Sequence, residues 1–397
     1  MKDISVLFTK FPRVTVWRAV IFLTILTLMA GCSGDDAIEQ AVAPVEELVE
    51  PFSDFSFPVA EWQQAKVVLV HEPGQEVARS ERTGILFDLS AMQEEWTQYT
   101  DVLRHNGIQV FELTDVLTKI PVQQLRETAR KMFSKDFSNM EKPEVIRYMV
   151  ETPPMDALFY TRDQSITTPR GTIICKMTSY ARKLEPDIVT LCYQYLGGNV
   201  FYRVNGNRSR IEGGDYFPFG TLSLIGEGER TNREAIRELM DADAFGHDTL
   251  VMVKDKVMSI YQMHLDTYFN IIDRDLTVMA KNKLEAQRGD AHFLAADVYV
   301  RAPGETSYRL EREGISFVEF LRQRGVRIIP IQESDMEMLA TNFLCIAPRH
   351  IVAREGLSDE FINSMQENGV SVEWVKLDEL AKGYGTAHCM TQVIGRE

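Results

Sequence analysis

The hydrophobic pattern of this chain repeats a unit in which an amphipathic helical stretch runs into a glycine and then into an apolar–x–apolar strand. The glycines at these joints are Gly107, Gly198, Gly325 and Gly369. Glycine suits the end of a helix because it adopts positive φ without steric penalty, and the apolar run that follows is typical of a buried strand. The pattern therefore predicts an α/β domain from about residue 61 onward, although such joints occur in many α/β folds.

Further strands are predicted from the short apolar runs "KVVLVHEP", "ALFYTRD", "TIICKM", "TLSLIGEG", "TLVMVKDKVMSIY" and "NFLCIAPRHIVA". A charged stretch near residues 116–148 has helical periodicity instead, and it predicts a small helical insertion. Alternation at this spacing is typical of a repeated supersecondary unit. We therefore expect one large domain over residues 61–397 that carries this insertion.

The first residues have the pattern of a targeting segment. A positively charged start precedes the apolar run "AVIFLTILTLMA", which is shorter than the about 20 residues that a membrane span needs. The small residues before Cys32 are similar to a lipoprotein signal, in which Cys32 becomes the lipidated first residue. We expect residues 1–31 to be a signal peptide of this type and the mature protein to be exported; a plain signal peptide or an uncleaved anchor is the alternative.

Residues 32–60 hold acidic residues, proline and alanine, and they contain no Lys or Arg. This composition is typical of a tether, so contact with a membrane is expected only through the lipid anchor. The net charge of −15 and the lack of a basic stripe argue against nucleic acid as a partner. The same acidic balance mildly favours a cationic ligand.

The five cysteines differ in their surroundings. Cys175, Cys192 and Cys345 lie in apolar, strand-like runs and are predicted to be buried thiols that behave as small hydrophobic residues. An exported chain can form disulfides, but the spacing does not show which. Cys389 stands in "GTAHCMTQ", whose small residues leave room for a ligand.

Four segments place charged or reactive groups where a strand is predicted to end, the place at which α/β folds build sites. Each segment alone has an ordinary interpretation, such as a salt bridge, a turn or a core histidine. Together they supply a nucleophile, an acid–base group and three carboxylates, without the His and Cys spacing of a metal site. The segments are "FYTRDQS" with Asp163, "RIEGGDYFPFG" with Glu212, "YQMHLDTYFNIID" with His264 and Asp266, and "GTAHCMTQ" with Cys389.

Clustered carboxylates repel one another unless a cation joins them. Because no metal-ligand spacing is present, the cation is interpreted as the substrate. A guanidinium group matches carboxylates through its planar fork of N–H donors. A thiolate can attack its central carbon while a histidine protonates the departing amine and then activates water.

These segments, together with "GEGERTNREAI", "HEPG" and "LFD", resemble the ordered motifs of arginine deiminases, in the wider guanidino-group-modifying (amidinotransferase) superfamily. The resemblance covers the chain from about Lys66 to the C-terminus. It implies an α/β fold, a five-bladed pseudo-symmetric propeller (pentein) of ββαβ units around a central site. It also implies that the enzyme uses no cofactor.

The resemblance also implies a role for each residue of the cluster. Cys389 corresponds to the nucleophile that forms a covalent thiouronium intermediate, and His264 corresponds to the general acid–base. Glu212 corresponds to the carboxylate that pairs with the histidine and orients the guanidinium. Asp163 and Asp266 correspond to the two carboxylates that grip the guanidinium nitrogens.

Further residues are implied to bind the remainder of the substrate. Arg230 resembles a clamp for the substrate α-carboxylate and Arg182 resembles a second clamp, while Asp215 and Tyr160 are additional substrate-binding candidates. Ala157 stands where the family often has an asparagine that holds the substrate backbone. This difference keeps peptides that end in arginine among the candidate substrates.

The expected activity is hydrolysis of L-arginine, a small guanidino molecule, to L-citrulline and ammonia. One alternative is an amidinotransferase that passes the amidino group to an amine. Others are a deiminase of C-terminal peptidyl arginine or of another guanidino compound, and a non-catalytic guanidinium-binding module. A pure binding module has no need of Cys389, which argues against the last, and the sequence leaves homo-oligomerisation open.

Overall fold

The computed structural model describes residues 57–78, 85–153, 155, 157–302 and 304–397. The signal peptide predicted over residues 1–31, the lipidation of Cys32 and most of the tether predicted over residues 32–60 lie outside the described residues. Within the described ranges, every helix is too short or too polar to cross a membrane.

The described residues form a mixed α/β fold with seventeen strands. The strands are β1 (Ala65–Val70), β2 (Gln109–Glu112), β3 (Ser165–Thr168), β4 (Gly171–Ile174), β5 (Val200–Arg203), β6 (Tyr216–Phe219), β7 (Leu222–Glu227), β8 (Thr249–Lys254), β9 (Phe269–Asp273), β10 (Leu276–Ala280), β11 (Ala295–Val300), β12 (Arg309–Ser316), β13 (Arg327–Ile331), β14 (Leu344–Ala347), β15 (His350–Arg354), β16 (Ser371–Val375) and β17 (Gln392–Arg396).

Eleven α-helices connect these strands in the described part of the chain. They are α1 (Gln75–Ala78), α2 (Leu89–His105), α3 (Leu113–Lys119), α4 (Val122–Phe133), α5 (Lys142–Glu151), α6 (Glu185–Tyr195), α7 (Arg233–Asp241), α8 (Lys281–Leu284), α9 (Phe317–Gln323), α10 (Glu333–Glu337) and α11 (Asp359–Glu367). The stretch near residues 116–148, predicted to be helical, holds α3, α4 and α5. An aromatic cluster in which the Phe133 and Tyr148 rings lie 5.1 Å apart joins α4 to α5.

Five units of three strands share one connectivity among the described residues. In each unit the first strand is antiparallel to the second, and the second is parallel to the third. A helix lies in the chain between the second and third strands, as in a ββαβ unit. The units are β3-β4-β5, β6-β7-β8, β9-β10-β13, β14-β15-β16 and β17-β1-β2.

The unit β17-β1-β2 joins the two ends of the domain, because β1 pairs with β17 with Val68 opposite Val393. The β6-β7-β8 unit is extended at its outer edge by β11 and β12. Both of these additional strands come from the connection between β10 and β13.

Burial falls from the first strand of a unit to its third strand. Every residue of β3, β6, β9 and β17 is buried. The third strands β2, β5, β13 and β16 each expose residues to solvent. The third strand β8 exposes none because β11 pairs with its outer edge. The first strands are therefore more buried than the third strands.

Apolar side chains pack between units as well as within them. One cluster of buried residues joins Phe217 of β6 and Val251 of β8 to Phe269 of β9. Another joins Val68 of β1 and Val393 of β17 to further buried residues from the unit of β14 and β15. These clusters hold neighbouring units together, so groups at the ends of different first strands keep fixed relative positions.

The strand predicted for "ALFYTRD" is wrong. Residues 158–163 form consecutive turns, and β3 begins only at Ser165. The backbone N–H of Arg162 donates to the carbonyl of Cys389 at 3.0 Å. The backbone of this segment is therefore hydrogen-bonded to a loop distant in the chain, and not to a neighbouring strand as the prediction required.

The prediction that Cys192 lies in a strand-like run is also wrong. Cys192 lies in α6, which has Pro186 in its first turn, a position that favours proline. The apolar residues of this segment continue over three turns, which a short run cannot distinguish from a strand. All four described cysteines are free and buried.

The end of the predicted tether already packs on the domain. Ala60 is buried and forms a bridge with Phe219, and Gly220 donates its N–H to the carbonyl of Val59 at 2.9 Å. The next residue, Glu61, is buried and accepts a hydrogen bond from Arg396 Nη2 at 2.6 Å. The folded domain thus begins a few residues before the predicted boundary at residue 61.

This packing predicts different outcomes for two truncated chains. A chain that lacks residues 1–56 keeps Ala60 and Glu61, and we expect it to unfold at the temperature of the full chain. A chain that lacks residues 1–61 leaves the guanidinium of Arg396 buried without its carboxylate, and breaking a buried ion pair costs about 3–5 kcal/mol. Thermal unfolding followed by circular dichroism measures the difference; equal unfolding temperatures for the two truncated chains would contradict the prediction.

Candidate active site

The four predicted segments meet, and each lies where a first strand begins. Asp163 precedes β3, Glu212 precedes β6, His264 and Asp266 precede β9, and Cys389 precedes β17. The prediction that these groups stand at the ends of strands is therefore wrong: they stand at the amino ends. The contacts among these residues show that the turns leading into the four first strands converge.

His264 lies between two carboxylates and is buried. Its Nε2 lies 2.8 Å from Glu212 Oε2 and its Nδ1 lies 3.7 Å from Asp163 Oδ1. Burial lowers the pKa of His264, but the charge of Asp163 and the hydrogen bond to Glu212 outweigh it and raise the pKa to about 10. Burial raises the pKa of Glu212, but the hydrogen bond and charge of His264 lower it to about 2. The pair is therefore an imidazolium and a carboxylate at neutral pH.

The two glycines after Glu212 make this contact sterically possible. A Cβ on Gly213 would collide with the backbone carbonyl oxygens of Arg162 and Ser165. A Cβ on Gly214 would lie 2.8 Å from Nδ1 of the His264 ring. The "EGGD" sequence therefore permits the close approach of the segments that precede β3 and β9.

Cys389 is almost fully buried, with 5% of its surface exposed, and its Sγ lies 3.6 Å from Asp266 Oδ2. A Cβ on Gly385 would lie 3.0 Å from this sulfur, so the glycine leaves space beside the thiol. Burial, and then the negative charges of Asp266 and Asp163, raise the pKa of the Cys389 thiol well above its ordinary value. The thiol is therefore protonated at neutral pH.

Asp163 Oδ1 and Asp266 Oδ1 are buried without a hydrogen-bond partner in the described structure, as is Asp215 Oδ2. The other oxygen of Asp266, Oδ2, accepts a hydrogen bond from His388 Nδ1 at 2.7 Å. A buried polar atom without a hydrogen bond is costly, so Asp163 Oδ1 and Asp266 Oδ1 can accept N–H donors of a positively charged group.

A metal ion is a poorer candidate for this position than an organic cation. Asp163, Glu212 and His264 do offer one ligand atom each within 4.8 Å of one another. However, Glu212 and the Nε2 of His264 are already hydrogen-bonded to each other at 2.8 Å, a bond that a shared metal ion would have to replace.

The structure does not leave Arg182 free for a substrate carboxylate. Its Nη1 lies 2.5 Å from Asp163 Oδ2 and its Nε donates to Glu185 Oε2 at 2.9 Å. Its Nη2 donates to the backbone carbonyls of Ala157 and Tyr160. The bonds to Glu185 and the two carbonyls fix the guanidinium of Arg182, and its bond to Asp163 holds that carboxylate in place.

Arg230 is positioned differently. Its Nη1 lies 3.8 Å from Glu212 Oε1 and its side chain is 17% exposed. Its Nε has no hydrogen-bond partner in the described structure. Arg230 is thus beside the cluster and retains donors that a ligand can use.

The two remaining predicted residues support the site from behind. The Tyr160 hydroxyl donates to the carbonyl of Leu380 at 2.8 Å and so contacts the loop that leads to Cys389. Asp215 Oδ1 accepts from the backbone N–H of Leu265 at 2.8 Å and so fixes the segment of His264. Burial raises the pKa of Asp215 to about 7.

Sequence reasoning missed Asn342, which holds the Cys389 loop. Its buried Oδ1 accepts from the backbone N–H of Thr386 at 2.7 Å and from that of Cys389 at 3.3 Å. Asn342 precedes β14, the first strand of the remaining unit. The apolar run "NFLCIAP" predicts a strand, and the polar pair Thr341–Asn342 stands just before it. This position before a first strand matches that of the other site residues and is the signal that identifies Asn342.

Two relatives named arginine deiminase are similar to most of this chain. The arginine deiminase of Halobacterium salinarum is 28% identical, covering 78% of this chain and 79% of its own. The arginine deiminase of Mycobacterium avium is 24% identical, covering 84% of this chain and 96% of its own.

Solved structures share the fold at low sequence identity. A dimethylarginine dimethylaminohydrolase adduct is 17% identical, with a TM-score of 0.53 over 84% of this chain and all of that one. The product-bound N-terminal domain of a cyanobacterial arginine dihydrolase is 13% identical, with a TM-score of 0.57 over 83% of this chain and 97% of that one.

A family model described as arginine deiminase matches residues 129–396, which is more than half of the chain and includes every residue of the buried cluster described above. The chain belongs to the arginine deiminase family.

Proposed function

We propose that this protein hydrolyses the guanidino group of a small molecule, with L-arginine as the preferred substrate, to give L-citrulline and ammonia. The observation that carries the proposal is the buried cluster in which a thiol, an imidazolium and two carboxylate oxygens without partners face one another. The relatives named arginine deiminase support the choice of substrate.

The first step is binding of the guanidinium between Asp163 Oδ1 and Asp266 Oδ1. Each oxygen accepts N–H bonds from one side of the planar cation, which matches a fork of donors to two acceptors. Their other oxygens are already held by Arg182 and His388. The substrate carbon is thereby placed beside the sulfur of Cys389, which lies 3.6 Å from Asp266.

Binding also activates the nucleophile. The negative charges of Asp266 and Asp163 contribute to the raised pKa of Cys389. A guanidinium bound to both aspartates compensates these charges, so the thiolate becomes more stable once substrate is present. The site therefore generates its nucleophile when it holds a cation and keeps a neutral thiol when it does not.

The first chemical step forms the bond between Cys389 Sγ and the guanidinium carbon. The C–N bond to a terminal nitrogen then breaks, and that nitrogen takes the proton from His264 and leaves as ammonia. The product of this step is a thiouronium covalently bound to the enzyme. Glu212 stays ionised beside the imidazole and keeps it in position throughout.

The second step hydrolyses the thiouronium. His264, now unprotonated, takes a proton from a water molecule that attacks the same carbon. The C–S bond breaks, the sulfur returns as Cys389, and the carbon leaves as the ureido group of citrulline. The thiol proton lost on binding goes to solvent, and the second proton of the water returns to the sulfur. Over the two steps the enzyme therefore consumes the arginine cation and water, releases citrulline, ammonia and a proton, and is itself unchanged.

We assign the α-carboxylate of the substrate to Arg230. Its unpartnered Nε supports this role, since it can donate without breaking an existing bond. Arg182 would first have to give up its hydrogen bonds to Asp163, Glu185 and two backbone carbonyls. We therefore give Arg182 the task of holding Asp163 and keep it only as a second candidate for the carboxylate.

We further propose that the five units stand around one axis as a five-bladed propeller with the site at its centre. The burial of the first strands and the exposure of most third strands support this arrangement. The pairing of β17 with β1 supports closure between the last and first parts of the domain. The dimethylarginine dimethylaminohydrolase likeness is consistent with it.

Export of the mature chain is a separate proposal, which rests on the sequence before residue 57. The positive start, the short apolar run and the small residues before Cys32 support cleavage and lipidation at that cysteine. The acidic stretch over residues 32–60 would then separate the enzyme from the membrane.

The mechanism predicts how Cys389 reacts with two alkylating agents. Because its pKa is raised, the thiolate fraction at pH 7 is small and rises with pH, so iodoacetamide should alkylate Cys389 slowly at pH 7 and faster above pH 9. Chloroacetamidine carries a positively charged amidinium group that can bind the two aspartates as a guanidinium would. It should therefore react with Cys389 faster than iodoacetamide does at pH 7.

Mass spectrometry of the Cys389 peptide measures both rates, with Cys175, Cys192 and Cys345 as internal controls. Two results would contradict the mechanism. One is equal rates for the two reagents at pH 7, and the other is a stable adduct on a control cysteine during turnover.

The assignment of Arg230 predicts a change in specificity. Arg230→Gln should lower kcat/KM for L-arginine by about 10–150-fold, the range for a hydrogen bond to a charged group, and should leave agmatine, which lacks the carboxylate, almost unaffected. Arg233→Gln is the matched control, because Arg233 pairs with Glu227 in the same motif. A wild type that used agmatine as well as L-arginine would disprove the clamp while leaving the hydrolase proposal intact.

The export proposal predicts that Cys32 carries lipid in the native host. Labelling with a radioactive fatty acid should mark the wild-type chain and not Cys32→Ser, and the variant should leave the membrane fraction. Cys175→Ser, a change at a buried thiol, is the control. Equal labelling of wild type and Cys32→Ser would refute lipidation at this residue.

A further inference from the structure

His388, the residue before the nucleophile, lies fully buried behind the site and connects two carboxylates. Its Nδ1 donates to Asp266 Oδ2 at 2.7 Å. Its Nε2 lies 3.7 Å from Glu61 Oε1 and has no hydrogen-bond partner in the described structure. The ring thus has an acceptor on each side, and it takes no part in the bond-forming and proton-transfer steps of the proposed reaction.

Glu61 is a fixed charge on the far side of this ring. It accepts from Arg396 Nη2 at 2.6 Å and lies 3.4 Å from Arg162 Nη2. Burial raises the pKa of Glu61, but Arg396 and Arg162 lower it to about 2. The carboxylate therefore stays ionised at any pH at which the enzyme would be assayed.

Two further contacts hold His388 in place. It stacks on Phe217 with the ring centroids 5.2 Å apart and an angle of 22° between the planes. Its backbone N–H donates to the carbonyl of Asn342 at 3.0 Å. A ring flip would place carbon atoms against both Asp266 and Glu61, so the two carboxylates also favour the observed orientation.

We infer that His388 is a positioning residue of the proposed hydrolysis, which holds Asp266 ionised and turned so that its free oxygen faces the guanidinium. The inference rests on the proposed function for its effect on turnover. The geometry that carries it is the short Nδ1–Oδ2 bond to one oxygen of Asp266 and the absence of any described partner for the other.

The charged and titratable groups around Asp266 explain why it needs such a donor. Burial raises the pKa of Asp266, and His388 through its hydrogen bond and charge, followed by the charges of His264 and Arg162, lowers it. Cys389 contacts the same carboxylate oxygen, and the charge of Asp215 also lies nearby. Without the His388 donor, the effect of burial would prevail and Asp266 would take up a proton at a higher pH.

Protonation of Asp266 would have two opposite effects. It would weaken guanidinium binding, because the free oxygen would lose its charge. It would also remove one of the charges that raise the pKa of Cys389, so the thiol would ionise more readily in the empty enzyme. Loss of the His388 donor should therefore slow turnover and accelerate alkylation by an uncharged reagent.

Two substitutions in the full chain separate the two ring nitrogens. His388→Asn places an amide N–H near the position of Nδ1 and keeps the bond to Asp266. His388→Gln places its amide near the position of Nε2 and loses that bond. His388→Phe keeps a ring that can stack on Phe217 but has no donor, and it gives a second test if the glutamine variant fails to fold.

We expect His388→Asn to keep kcat/KM for L-arginine within about threefold. His388→Gln and His388→Phe should lower it by about 10–100-fold, the size of a lost hydrogen bond to a charged group. In these two variants the acidic limb of the kcat/KM profile should move to higher pH. Alkylation of Cys389 by iodoacetamide at pH 8 should be faster than in wild type, and the midpoint of its pH dependence should move to lower pH, a shift that greater access to the thiol would not cause.

Equal effects of His388→Asn and His388→Gln on turnover would overturn the inference, as would slower or unchanged alkylation in folded His388→Gln and His388→Phe. Thermal unfolding identifies the folded variants. Failure of the proposed function is distinguishable: a wild type that turns over no guanidino compound refutes the hydrolysis, whereas the alkylation rates test His388 without any turnover.

Discussion

The structure depends on how several carboxylates are kept ionised in a buried space. Each of the three closest to the reaction has one oxygen bound to a cationic or donor side chain: Asp163 to Arg182, Glu212 to His264 and Asp266 to His388. Ion pairs of this kind offset the large cost of burying charge. The second oxygen of Asp163 and that of Asp266 accept no hydrogen bond. The site therefore presents two acceptor atoms at defined positions.

The fold meets this constraint by bringing turns from separate units to one place. A single strand end could not supply five functional side chains, whereas the turns before four first strands deliver them from different directions. The converging segments lie so close together that some positions have room only for glycine. Gly213, Gly214 and Gly385 each stand where a Cβ would press on a neighbouring backbone, on the histidine ring or on the thiol.

The sequence alone predicts which residues the structure brings into one buried cluster, because their motifs are local. It also located the helix–glycine–strand joints, where Gly107, Gly325 and Gly369 do adopt positive φ. It failed where long-range contacts decide the local structure. The turn before β3 was predicted as a strand because its apolar residues resemble one, but its backbone bonds to the Cys389 loop. Asn342 and Glu61 were missed because their roles exist only through partners far away in the chain.

The same electrostatic constraint gives the proposed reaction its direction. A guanidinium enters as a cation that satisfies the free oxygens of Asp163 and Asp266, and the thiouronium keeps that charge next to the same oxygens. Hydrolysis replaces it with a neutral ureido group, which offers N–H donors but no charge to compensate the two aspartates. Binding should therefore weaken at the step that completes the chemistry, because the attraction between unit charges in a poorly solvated site is much larger than in water. The carboxylates that select and activate the substrate thus also favour release of the product.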